Sequence, residues 1–166
     1  MSTSPIIVGV DPGASGGVAI GRGSTPVLLK YNKEEIRRVF KDRPEGDIFV
    51  FVELVHSSPV MGQSQAFAFG RNVGWYDCLL ETYVNEVHWV TPQSWMKPYA
   101  NALASLKRPG MKPDAVKRAR KNYLKAMAAQ LYPEIKGLSL DTSDALLIYH
   151  HGLTAHNLNR KEQHDT

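Results

Sequence analysis

The chain has 166 residues, 43% of them hydrophobic and 22% charged, which supports one buried core and excludes wholesale disorder. Its longest apolar run, Ile48 to Val52, is too short to span a bilayer, and its single cysteine, Cys78, can close no internal disulfide and build no cysteine-based zinc site. The formal net charge of +4 is mild, but residues 97–125 carry nine Lys and Arg against one acid, Asp114, so this stretch is +8 and the remainder −4.

Ile6 to Val10 is an apolar run that stops at Asp11-Pro12-Gly13, and Gly17 to Gly21 and Val27 to Lys30 follow as two more short runs. Together they predict an antiparallel meander. Residues 33–41 have the spacing of a short amphipathic helix. Ile48 to Val52 is continuously apolar, as in a strand buried on both faces, with Glu53 at its end. A long helix is expected over 62–82 and a further strand over 87–90. Thr91-Pro92 supplies an N-cap and a first-turn proline for a short helical turn. Residues 98–112 are loop-like, 113–131 form a basic helix ending before Pro133, and 140–153 form a last helix. One domain over 1–155 is expected, with 156–166 as a frayed tail. Strands first, then strand alternating with helix, predict an α/β fold with a mixed sheet and helices packed on it.

Two features point to chemistry. Asp11 and Glu53 end apolar runs, and Asp141 and Asp144 open an otherwise apolar helix, spaced to share one face. Each alone has an ordinary reading: a turn aspartate, a strand end meeting water, or a first-turn acid favoured by the helix dipole. As a set they call for a compensating cation, because a carboxylate at the end of a buried strand is costly to desolvate. Mg²⁺ or Mn²⁺ suits such hard oxygen donors. The second feature is the basic stretch, whose charge suits a polyanion lying across one face. In the 62–82 helix, Gly62, Ala66, Gly70, Gly74 and Cys78 recur every fourth residue. Glycine in a helix costs about 1 kcal/mol relative to alanine. Close approach of the chain's own sheet, or of the same helix in a second subunit, are the two readings of that stripe.

Gly9-Val10-Asp11-Pro12-Gly13 followed by Gly16-Gly17-Val18-Ala19, then Val52-Glu53, then Asp141-Thr142-Ser143-Asp144-Ala145-Leu146 resembles the motif series of RuvC-type Holliday junction resolvases, over about 6–152. The compact length suggests a phage or organelle-type branch. The resemblance implies an RNase H-like fold with a five-stranded mixed sheet, three antiparallel strands first, flanked by helices. It implies a homodimer cutting symmetric strands of a four-way DNA junction, leaving 5′-phosphate and 3′-hydroxyl ends. Asp11, Glu53, Asp141 and Asp144 would hold two metal ions per active site. Lys121, in Lys121-Asn122-Tyr123-Leu124, is similar to a lysine beside the scissile phosphate in relatives, and Lys97 resembles a second such lysine. His56 stands where some relatives carry a base-stacking aromatic. Lys107, Arg108, Lys112, Lys117 and Arg118 would join Lys97 and Lys121 in holding DNA, and Ala66, Gly70 and Gly74 would lie in the dimer interface.

Branched DNA and a second copy are therefore the expected partners, with no membrane and no small-molecule substrate. Met1 to Pro5 lack the features of a signal peptide, so a cytoplasmic setting is expected: that of a host cell for a phage protein, or an organelle. An RNase H-like nuclease acting on flaps or RNA–DNA hybrids is the nearest alternative, and a catalytically silent junction-binding protein the next. An actin-like phosphotransferase, suggested by Asp11-Pro12-Gly13 alone, needs a longer chain and a second phosphate loop.

Overall fold

The structure, a computed structural model, describes residues 4–42, 46–55 and 62–164, with the side chains of 159–164 left aside. Five strands, β1 (Ile6–Asp11), β2 (Gly17–Gly21), β3 (Val27–Lys30), β4 (Ile48–Glu53) and β5 (Glu86–Val90), form one sheet in the order β3-β2-β1-β4-β5. β1 pairs antiparallel with β2, and β2 with β3. β1 pairs parallel with β4, and β4 with β5. This is the mixed, five-stranded, RNase H-like sheet expected from the sequence, with the three antiparallel strands first.

Among the described residues six α-helices flank it: α1 (Lys33–Lys41), α2 (Gln63–Tyr83), α3 (Pro92–Trp95), α4 (Ala100–Ser105), α5 (Pro113–Leu131) and α6 (Leu140–His164). Side chains alternate across a strand, so the two faces of the sheet carry different cores. Ile6, Val8 and Val10 of β1 and Ile48, Val50 and Val52 of β4 pack with Ile36 and Phe40 of α1 and Tyr76, Leu79 and Leu80 of α2. Ile7 and Phe51 face the other way, against Leu124 and Ala128 of α5 and the Ala145–Tyr149 run of α6. The central strand β1 is buried on both faces from Ile6 to Val10, which explains its unbroken apolar run.

Close approach of α6 to β1 requires Gly9. A Cβ there would strike the backbone nitrogen of Tyr149 and the carbonyl of Ala145. The start of α6 is fixed by Ser139, whose backbone N–H donates to Thr142 Oγ1 (3.2 Å) while its carbonyl accepts from Ser143 N–H (3.1 Å). Thus the helix that carries Asp141 and Asp144 is set both along its axis and against the sheet.

Two stretches differ from expectation. Residues 97–105 are helical, as a 3₁₀ turn (Lys97–Tyr99) running into α4, where a loop was expected from 98. Tyr99 and Leu103 anchor this stretch in the α5/α6 core, which outweighs the proline at 98. α6 runs on to His164 instead of ending near Leu153 and fraying from 156. Ala155 packs against the core, and the His156 ring lies 4.6 Å from that of Phe49, so the helix keeps tertiary contacts beyond the apolar run. Among the described residues no helix is long and apolar enough to cross a membrane.

The small-residue stripe of α2 is not packed against the chain's own sheet. Among the described residues a Cβ at Gly70 or Gly74 would meet open space, Cys78 is exposed and Phe67 is 69% exposed. Among the described residues the buried side chains of the helix, Tyr76, Leu79 and Leu80, lie in its C-terminal half, and Tyr31 O–H donates to Asn72 Oδ1 near its middle (2.7 Å).

Candidate active site

Strand pairing places the first two acids side by side. Val10 lies opposite Val52 across the parallel β1–β4 ladder, so Asp11 and Glu53 are the next step on each strand. By alternation both point to the α5/α6 side, two residues beyond Gly9 and Phe51. The loop after β1 folds back over Asp11. Gly13 N–H donates to Asp11 Oδ1 (3.1 Å) and Gly16 N–H to the Gly13 carbonyl (3.0 Å). Gly16 lies so close that a Cβ would strike the Asp11 carbonyl oxygen and crowd its carboxylate.

Glu53 is oriented by a residue that the sequence marks only as a core aromatic. Thr91 caps α3, its Oγ1 accepting from Ser94 N–H at 3.2 Å. That turn sets Trp95, 3% exposed, with its indole Nε1 donating to Glu53 Oε1 at 3.0 Å. A buried tryptophan needs an acceptor for its N–H, and here the acceptor is a candidate site acid.

The electrostatics show which acids converge. Burial raises the Asp11 carboxyl above the usual aspartate range, against the Gly13 N–H and Lys121, which lower it; Asp141 raises it further. Burial pushes Glu53 up to about 7, with Asp11 and Asp144 adding repulsion and Trp95 and Lys121 opposing it. Burial lifts Asp144 to about 6, Asp11 raises it further, and Lys121 again opposes. Asp11 is thus the hub, felt by Glu53 and Asp144, and Lys121 acts on all three.

Asp141 stands apart. It reaches Asp11 electrostatically but pairs with Lys30 of β3 at 3.4 Å. Among the described residues, no three His, Cys, Asp or Glu side chains are gathered tightly enough to cage a metal ion as they stand. The donor chemistry nonetheless fits a hard divalent cation. Three carboxylates are raised by burial and by neighbouring acids, and among the described residues the buried Oδ1 of Asp144 has no hydrogen-bond partner. Buried acceptors of this kind are ordinarily satisfied.

A cavity of about 530 Å³ opens beside Glu53 and Asp144. Lys107, Lys117, Arg120 and Lys121 line it, over Trp95, Met96, Met111, Val116 and Leu124. A second cavity of about 500 Å³ shares Met96, Lys107, Val116 and Arg120 and extends to Lys97. Lys97 therefore lies further along the groove, away from the acids. Lys112 at the start of α5 and Arg108 and Arg118 are exposed, outside both cavities. His56 lies outside the described residues.

Three contributors were not singled out as site residues from the sequence. Trp95 and Arg120 sit in the cavity walls, and Lys30 holds Asp141. Arg120 could have been found from helix periodicity, since Val116, Arg120 and Leu124 recur at four-residue spacing. Trp95 and Lys30 reach their acids through long-range packing that no local spacing encodes.

No protein-family model matches the chain, and no curated protein matches it. Solved structures do. Thermus thermophilus RuvC superposes with a TM-score of 0.52 and 17% identity, over 95% of this chain and 96% of that one. T. thermophilus RuvC in complex with Holliday junction substrate superposes with a TM-score of 0.55 and 18% identity, over 92% of this chain and 95% of that one. At these identities the likeness establishes a shared fold.

Proposed function

We propose that this chain is a divalent-metal-dependent endonuclease of the RuvC type, a homodimer that resolves four-way DNA junctions by paired, symmetric nicks. The observation that carries the reading is the burial of Asp11, Glu53 and Asp144 where β1 and β4 end, with Asp11 raising the other two and Lys121 opposing the rise in all three. The RuvC-like fold, with one such structure holding a Holliday junction, supports it.

Asp11, Glu53, Asp141 and Asp144 would hold the metal. Asp141 is available for this because its pair with Lys30 is largely exposed, with side chains 67% and 39% accessible. Pairs of that kind contribute about 0–1 kcal/mol. Bound Mg²⁺ or Mn²⁺ supplies a water activated at neutral pH and neutralises charge at the leaving 3′ oxygen. The chain's own residues do the rest. Gly13 N–H fixes Asp11, Trp95 fixes Glu53, and Lys121 offers its ammonium to the phosphate as negative charge builds there. Lys97, Lys107, Arg108, Lys112, Lys117 and Arg118, with Arg120, hold the arms by phosphate contact.

The dimer rests on α2. Among the described residues nothing lies against Gly70 or Gly74, and with Ala66 and the exposed Phe67 beside them they offer a surface to a second copy. The setting that follows is the cytoplasm, that of a host cell for a phage protein, or an organelle.

Incubation of a 5′-labelled four-way junction with Mg²⁺, Mn²⁺ or EDTA tests the reading, beside a linear duplex, a flap and an RNA–DNA hybrid. Paired nicks at symmetric positions in the junction alone are expected with metal and none with EDTA. Cleavage of the hybrid or flap in preference to the junction would assign a different substrate to the same site. Binding without cleavage would make the chain a junction binder.

A further inference from the structure

The end of β3 reaches both sides of the sheet. Lys30 pairs with Asp141 at the start of α6 (3.4 Å), and Tyr31, just past the strand, packs against the α1/α2 core. The Tyr31 backbone N–H donates to the Gly16 carbonyl at 3.1 Å, one step beyond the Gly17–Lys30 pair of the β2–β3 ladder. Gly16 is the residue that lies against Asp11. Its own N–H closes the loop onto the Gly13 carbonyl (3.0 Å), and the Gly13 N–H holds Asp11 Oδ1 (3.1 Å). Tyr31 thus grips the far end of the loop whose near end orients Asp11.

Any residue except proline could donate that backbone bond, so the bond does not explain a tyrosine. The side chain does. Its hydroxyl donates to Asn72 Oδ1 of α2 at 2.7 Å. Its ring stands edge-on to Trp75 (centroids 6.2 Å apart, planes at 89°) and tilted against Tyr76 (6.2 Å, 48°). Asparagine is a poor residue for the middle of a helix, because its amide competes for backbone bonds. Here the Tyr31 hydroxyl engages that amide. The Tyr76 hydroxyl makes no such tie: it is buried and has no hydrogen-bond partner among the described residues. Burial raises its pKa, and Tyr31 and Asp11 add to the rise, which places the three groups together.

We propose that Tyr31 is a positioning residue for the reaction: its backbone N–H and its hydroxyl tie the Gly13–Gly16 loop to α2 and so keep Asp11 in place to receive metal. The inference rests on the nuclease reading above. Asp11 acts on both Glu53 and Asp144, so a loop released from α2 disturbs the whole acid cluster. The cations of α5 proposed to hold DNA lie on the other face of the sheet from α2. Loss of the tie is therefore expected in metal affinity and nicking rate and not in junction affinity. Since α2 is also the helix proposed to meet a second copy, the catalytic loop and the subunit contact share one support.

Tyr31→Phe removes the hydroxyl and keeps the ring, and Asn72→Ala removes its acceptor from the other side, so that misfolding of one leaves the other. Both, and the double variant, are compared with wild type. Mn²⁺ affinity without DNA is read from the electron paramagnetic resonance of free Mn²⁺. Nicking rate at fixed, subsaturating Mn²⁺, gel-shift affinity for the junction and melting temperature in EDTA are read on the same proteins. Each single variant should bind Mn²⁺ about three- to tenfold more weakly and nick more slowly by a similar factor, as for one lost hydrogen bond. The double variant should match the weaker single variant to within about twofold, because the two groups are partners in one bond, and junction affinity should stay within about threefold throughout. Unchanged Mn²⁺ affinity and nicking rate, with or without a lower melting temperature, would make Tyr31 a packing residue only and overturn the inference. Losses that add in the double variant, or that fall on junction affinity instead, overturn it too. Each of these leaves the resolvase reading standing as long as wild type nicks the junction. A wild type that nicks no branched or hybrid substrate overturns both.

Discussion

Asp144 is the residue whose environment is hardest to explain without a cation. Its carboxylate is raised to about 6 by burial and by Asp11, and Glu53 beside it is raised to about 7. A carboxylate with a raised folded-state pKa binds more protons folded than unfolded between the two values, so stability falls as pH rises through that window. Without metal, the cluster should destabilise the fold as pH climbs from about 4 to about 7. Asp144→Asn removes one repelling charge and gives the unpartnered oxygen a neutral amide. In EDTA, the variant's melting temperature should exceed that of wild type at pH 7.5, and the two should converge near pH 4. Thermal scans across pH check this; a constant difference would mean the carboxylates do not repel in the folded state. Trp95 makes a separate claim. Trp95→Phe keeps the core volume but removes the donor to Glu53 Oε1. A hydrogen bond to a charged group is worth about 1.5–3 kcal/mol, so kcat should drop about ten- to a hundredfold with KM for the junction little changed. A loss of the folded near-UV signal in that variant would make Trp95 merely structural.

At the scale of the elements, two kinds of glycine position with opposite surroundings separate fold from assembly. Gly9→Ala drives a methyl into the backbone of α6 at Ala145 and Tyr149. With backbone on the other side there is little room to relax, and destabilisation of about 3 kcal/mol or more is expected in denaturant titrations. Gly70→Leu and Gly74→Leu face open space among the described residues. Each should stabilise the isolated helix by about 1 kcal/mol, yet together they should lower the dimer fraction at least about tenfold in sedimentation. A dimer that survives both changes would put the interface elsewhere. The sequence makes much of this legible. Alternating and continuous apolar runs delimit the five strands and place Asp11 and Glu53 at strand ends, and the Asp141/Asp144 spacing fixes a shared helix face. What it conceals is long-range. The helical stretch 97–105 is held by Tyr99 and Leu103 reaching the α5/α6 core, and α6 continues because His156 finds Phe49. Likewise the diversion of Asp141 to Lys30 depends on where β3 pairs with β2.

For the whole molecule, the sheet gathers the acids and the 97–125 segment supplies the opposite charge. Nine cations against one acid there give the excess positive charge of a chain whose total is only +4. Junction affinity should therefore fall steeply with salt, with a slope of about −0.9 per phosphate neutralised. Lys117→Ala, at the rim of the carboxylate cavity, should reduce that slope by about 1, whereas a change at an exposed lysine outside the basic segment, such as Lys41, should leave it unchanged. Filter binding across a salt series reads this out. The acids at the ends of β1 and β4 and the start of α6 are proposed to cut DNA at junctions. The most direct measurement is cleavage of a four-way junction by wild type and by Asp144→Asn, with Mg²⁺ and with EDTA, and with gel-shift binding measured on the same samples. Symmetric nicks are expected for wild type with Mg²⁺ alone, and no nicks for the variant at equal or tighter binding. Wild-type cleavage by Asp144→Asn, or cleavage in EDTA, would contradict it.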